Sequence, residues 1–141
     1  MPGEASSKGQ EIALNAMSGA ATVNSRTTYL ALLTAAPSDT TTMATMTELT
    51  TPGTNGYDRQ SVSWSAPADA GDGTWQTTNS GIITFGPFTA DLANITHCAL
   101  VSASTGTAGD FIFFWTLDNA RDPINGDSIQ FAINALKMKC D

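Results

Sequence analysis

The stretch with the most obvious potential for chemistry is residues 118–131, DNARDPINGDSIQF, where Asp118, Asp122 and Asp127 stand among Asn119, Asn125 and Gly126. A calcium loop of the EF-hand type sets oxygen ligands at alternate positions and a glycine at its bend. Here the aspartates are four and five residues apart, so that pattern fails, and Arg121 inside the segment offsets their charge. Asp-Pro at 122–123 and Asn-Gly at 125–126 are turn formers for backbone reasons. The segment is expected to be a turn between two core strands, with no metal and no cofactor.

Catalysis finds no better footing elsewhere. His97 is the single histidine, and a nucleophilic site would need a Ser or Cys in reach of it and an acid to orient it. Cys98 is adjacent, but successive strand residues point to opposite faces. No G-x-S-x-G turn is present. Glu48 and Asp58, like Asp69 and Asp72, are read as solvated turn acids, because nothing sets two of them across a cleft. TGTAGD, at 105–110, lacks the lysine and following helix of a phosphate loop. The expectation is a protein that is not an enzyme. Cys98 and Cys140 show no C-x-x-C spacing. Cys98 reads as a small buried hydrophobe, with a disulfide to Cys140 as the alternative.

The totals narrow the partners. The 141 residues suit one domain, and 13% are charged, against about 25% in ordinary soluble domains. Net charge is −7, and the six basic residues, Lys8, Arg26, Arg59, Arg121, Lys137 and Lys139, form no cluster. Nucleic-acid binding draws on grouped Lys and Arg, so no nucleic acid and no anionic membrane surface is expected. The N-terminal MPGEASSKGQ has no signal-peptide pattern, and no apolar run approaches the ~18 residues of a membrane span. Synthesis in a cytoplasm, without a membrane stage, is the expectation.

The positioning elements read mostly as strands. In SSKGQEIALNAMSG, Ser7 and Gln10 have capping-box spacing, Ile12, Ala13, Ala16 and Met17 form a stripe, and Gly19 is a stop. TTYLALLT and FIFFWTLD are apolar on both faces. In the second, Phe111, Phe113, Trp115 and Leu117 are set against Ile112 and Phe114. Between them lie DRQSVSW, TWQTTN, GIITFGPF and ITHCALVSAS, separated by Gly, Pro and Asn turns. The last strand is expected from Ser128 to about Met138. Ile129, Phe131 and Ile133 form one face of it, and a bulge near Asn134 or Ala135 shifts the phase. The fold class is therefore mainly β, a single-domain antiparallel β-sandwich of about seven or eight strands with one short N-terminal helix. Residues 1–25 are expected to be an arm and short helix and 26–141 the β-sandwich domain, and deletion of residues 1–24 is expected to leave a folded sandwich with weaker particle binding.

Strands that are apolar on both faces need a second cover, either the chain's own helix and its Thr-rich excursion at 35–56 or a neighbouring subunit. The candidate subunit or capsid contacts are Ile12, Met17, Met43, Met46, Leu49, Phe111, Phe113 and Trp115. Tyr57, Trp64 and Trp75 belong to the core unless they stack on a ligand.

The succession TYLALLTAAPSD, TELTTPGTNGYDRQSVSWSAP, ITFGPFTADLANITHCALVSASTGTAGDFIFFWTLD and GDSIQFAINALKM resembles small structural proteins of tailed bacteriophages, labelled tail fibre or decoration-like. The resemblance runs from about Thr28 to Met138. It implies assembly into the virion and transfers no catalytic residue. The leading expectation is a capsid decoration or cement protein on the outer head, bound to the major capsid protein and to itself as a homo-oligomer, possibly a trimer. The alternative is a tail or tail-fibre component that binds a host surface receptor. Small size and the absence of heptads or fibrous repeats favour decoration.

Overall fold

Large side chains on both faces of a strand must be covered twice, and the order of elements provides this. The computed structural model describes residues 1–140. Its elements are β1 (Gly3–Ala5), α1 (Ser7–Ser18), β2 (Thr28–Leu33), β3 (Gln60–Val62), β4 (Ala68–Asp69), β5 (Trp75–Thr78), β6 (Ile83–Phe85), β7 (Ile95–Val101), β8 (Phe111–Arg121), β9 (Ile129–Phe131) and β10 (Lys137–Cys140). A five-stranded sheet, β1-β8-β7-β2-β3, faces a three-stranded sheet, β10-β5-β4, and a two-stranded sheet, β6-β9. Every ladder is antiparallel. The mainly β, single-domain expectation holds, with ten strands among the described residues, because β1 and β4 are too short to leave a pattern.

The main core lies between the sheets. Leu30, Leu32, Cys98, Leu100, Phe113 and Trp115 come from the large sheet and meet Ile83, Phe85, Phe131 and Leu136 from the other side. A second cluster covers the outer face of the large sheet: Ala31, Leu33, Ala99, Val101, Phe111 and Phe114 lie under Met43, with Met46 packed against them. The excursion at 35–56 therefore supplies the second cover, and α1 has no residue in it.

Strict alternation along β8 fails at one residue. Leu100 lies opposite Phe113 and Val101 opposite Phe111, so Ile112 is one residue too many. The bulge turns Phe111 and Phe114 into the outer cluster and leaves Phe113 and Trp115 in the main core, where simple alternation set Phe111, Phe113 and Trp115 together. Ser6 fills the gap the bulge opens. Its main-chain N–H donates to the Ile112 carbonyl at 3.0 Å, and its hydroxyl donates to the Phe111 and Ile112 carbonyls. The same Oγ caps α1 by accepting from Gly9 N–H at 3.0 Å. The cap is thus Ser6, one residue before the expected Ser7. Gly9 is required there, since a Cβ would overlap the Ile112 carbonyl oxygen. Gly19 stops the helix as expected, with φ +68°.

The final segment is two strands and not one bulged strand. Ala135 N–H closes a turn on the Ala132 carbonyl at 3.1 Å, and Asn134 has φ +64°. This sends β9 into one sheet and β10 into another and leaves Ile133 exposed. Buried Asn79 holds the crossing. Its amide donates to the Gly81 carbonyl at 2.9 Å and the Ala132 carbonyl at 2.8 Å, and it accepts from Leu136 N–H at 2.8 Å.

Residues 1–5 are no free arm. β1 pairs with β8, Gly3 opposite Trp115 and Ala5 opposite Phe113. Among the described residues, no helix is long and apolar enough to cross a membrane.

Candidate interaction surface

The groups able to do chemistry are mostly engaged in holding the fold. Asp118 and Arg121 lie on β8, which runs further than the expected turn, and the turn itself spans Ile124 to Asp127. There Asp127 Oδ2 accepts Ile124 N–H at 3.0 Å, and Asp91 Oδ1 accepts Asn125 N–H at 2.9 Å. These carboxylates complete a connection, as turn residues do. Among the described residues, no three His, Cys, Asp or Glu side chains converge. His97 is half-buried with Thr96 Oγ1 at 2.7 Å from its Nδ1, and burial lowers its pKa. Cys98 is buried and Cys140 exposed, both as free thiols, and burial pushes the Cys98 pKa up.

Asp69 and Asp72 are turn acids, as expected. Asp69 accepts Gly71 N–H at 2.7 Å, and Asp72 accepts Thr74 N–H at 3.1 Å. Lys139 joins Asp72 at 2.7 Å, and its hydrogen bond and those of Thr74 hold the Asp72 carboxyl well below the usual range. Glu48 is different. The expectation of a solvated acid is overturned by a bidentate pair with Arg59, Nε to Oε1 at 2.8 Å and Nη2 to Oε2 at 2.7 Å. The Arg59 side chain is 1% exposed and donates also to the carbonyls of Ala103 and Gly106, at 2.9 and 3.0 Å. Tyr57 donates to Glu48 Oε1 at 2.7 Å and accepts Leu32 N–H at 3.1 Å. Burial, with the Glu48 charge beside it, raises the Tyr57 pKa far above the phenol range. Burial opposes the Arg59 charge, and the Glu48 hydrogen bonds and attraction more than offset it. The network clamps the excursion and the β7–β8 loop to β2. The pair is eleven residues apart and belongs to no sequence motif, so only the polarity of single residues hinted at it.

The remaining surface is one of contact. Of the eight candidate contacts, Met43, Leu49, Phe111, Phe113 and Trp115 are buried in the subunit's own core and cannot face a partner. Met46 is half-buried beside the outer cluster, and Ile12 is half-buried on α1. Met17 is 68% exposed, and Leu14, outside the expected stripe, is 62% exposed. α1 buries Gly9 against its own body, while Ala13, Leu14, Ala16 and Met17 are exposed. The limb continues through residues 20–27, all exposed, with Val23 among them. Of the three aromatic residues weighed as stacking surfaces, Tyr57 is fully buried and Trp64 stacks on Trp115 with ring centres 6.2 Å apart. Only Trp75, 58% exposed, is available.

One side of the sandwich is open. β1 and β10 are edge strands of the two facing sheets, and they meet at a single point. There Pro2 bridges Lys137, Lys137 N–H donates to the Met1 carbonyl at 3.3 Å, and the Met1 amino group donates to the Ala135 carbonyl at 2.8 Å. The Trp115 indole N–H donates to the Lys137 carbonyl at 3.0 Å. On one side of this stitch the edges part around a cleft of about 710 Å³, lined by Ala5, Ile112, Phe113, Met138 and Cys140, with α1 as its third wall. On the other side a smaller gap of about 370 Å³ separates Leu117 and Asn119 from Ile129 and Phe131. Trp75, Pro67 and Cys140 continue the apolar surface from the larger cleft.

No curated protein matches the chain. A family model described as Podophage GP4 fiber I protein gp80 matches residues 4–139.

Proposed function

Since the chain belongs to the podophage GP4 fiber I protein gp80 family of phage virion structural proteins, we propose that it is a fibre subunit of the tail, built in by contacts with copies of itself and with neighbouring virion proteins. The observation that carries this reading is the family match across nearly the whole folded chain, residues 4–139. The disposition of surface agrees with it. Glu48 is held by Arg59, the Cys98 thiol is buried and His97 is half-buried, whereas Leu14, Met17 and Trp75 face outward.

Capsid decoration, with the major capsid protein as partner, is the second reading. A single small acidic domain with no heptads and no fibrous repeat favours it. Quantitative mass spectrometry of purified virions separates the two. A fibre subunit gives a small, fixed number of copies relative to the major capsid protein. Hundreds of copies would move the protein to the head surface and overturn the fibre assignment.

A further inference from the structure

We propose that residues 20–27, the exposed segment that follows α1, add as a strand beside the open edges in the β1/β10 cleft of a second copy. The cleft and the segment are each incomplete in the single chain. The outer rows of main-chain groups on β1 and β10 are unpaired beyond the stitch, as on any sheet edge, and the floor between them is apolar, with Ile112, Phe113 and Met138. The segment offers the complement. Among the described residues no main-chain hydrogen bond reaches 21–27, every one of these residues is exposed, and Thr22, Val23 and Thr27 suit a strand.

This segment cannot serve its own cleft, whose third wall is already its own α1 through Gly9, Gln10 and Ala13. It leads from Gly19 directly into β2, three strands in from β1, and Arg26 is pinned to Asp110 at 2.7 Å. Charge selects a second copy's cleft over the rest of its surface. Two chains of net charge −7 repel, so contact must use uncharged surface, and residues 12–25 carry no charge. The cleft meets it with the apolar Ile112, Phe113 and Met138, and Glu4, Asp39 and Lys139 also line it. Because donor and acceptor are different surfaces of one chain, the contact is heterologous and repeats from copy to copy. It is a property of the chain and stands whether the protein is placed on the tail or the head.

Cys140 at the cleft provides the test, since Cys98 is buried. In Val23→Cys, mild oxidation of the full chain should link most of the protein into covalent dimers and larger species, and Val23→Cys with Cys140→Ser should lose them. Native mass spectrometry should show a wild-type multimer that Met17→Glu with Val23→Asp reduces to monomer, with the thermal midpoint unchanged. A monomeric wild type, a multimer unaffected by the double substitution, or crosslinks that persist without Cys140 would each overturn the proposal. So would crosslinks formed only to a different protein in assembled particles.

Discussion

Among the described residues, Glu48 and Arg59 form the one ion pair that is almost out of water, and its loss should be costly in a particular way. Arg59 keeps the carbonyls of Ala103 and Gly106 if the carboxylate is removed, but its charge remains buried without a counter-charge. Breaking a buried pair from one side costs about 3–5 kcal/mol, whereas replacing both partners by packed apolar groups is often close to neutral. Glu48→Gln should therefore lower unfolding stability by about 3 kcal/mol in urea, and Glu48→Leu with Arg59→Met should recover most of the loss. Equal damage from both variants would mean that the carbonyl contacts, and not the charge, hold the loops. Little of this was legible beforehand. Arg59 was visible as one of six scattered cations and Glu48 as an acid beside a loop, and pairing across a fold leaves no mark in local spacing. The turn at Asp127 was legible, because Asn-Gly and Asp-Pro impose backbone geometry wherever they stand.

At the scale of elements, the junction of α1 with β8 is the least tolerant. Alanine is intrinsically a better helix former than glycine by about 1 kcal/mol, so Gly9→Ala on an exposed helix would be stabilising. Here it should destabilise by about 2 kcal/mol or more, because the added carbon overlaps the Ile112 carbonyl that Ser6 also holds. Thermal unfolding decides the sign, and a raised midpoint would mean that α1 is not seated on the bulge. The same bulge explains what pattern alone could reach. β2 and β8 were readable as strands because both of their faces are apolar, and β7 as a strand ended by the turn at 105–110. Which face Phe111 occupies was not, because one extra residue at Ile112 reverses everything before it. The phase shift after Ile133 was seen at its correct place, but periodicity cannot distinguish a bulge from a turn that changes sheets. The cover over Phe114 came from Met43, a single methionine in a Thr-rich stretch without period.

For the whole molecule, the decisive feature is that the sandwich is closed on its open side by its first few residues. PGEA carries no strand signal, so β1 read as part of an arm that could be dispensed with. In place, it lies beside Trp115 and Phe113 and borders the stitch at Lys137. Removing residues 1–5 should lose on the order of 2–4 kcal/mol, from uncovered aromatic surface and lost edge hydrogen bonds, read as a lower urea midpoint. An unchanged midpoint would return β1 to the status of an arm. The fold class, in contrast, was legible at this scale. An acidic, Thr-rich chain of short strands and Gly, Pro and Asn turns is a mainly β domain of the phage structural family it resembles.

The stitch also sets a clock. Ser6 and its partner Phe111 are 105 residues apart, and a ribosome adds about 5–20 residues per second, so β1 waits roughly 5–20 seconds for β8 to be made. During that interval the first strand and the limb behind it are already free in solution, while the edge they would occupy does not yet exist. β10 is the last strand in the order of synthesis, so each limb meets finished edges only on copies already complete, and meets them before its own subunit has closed.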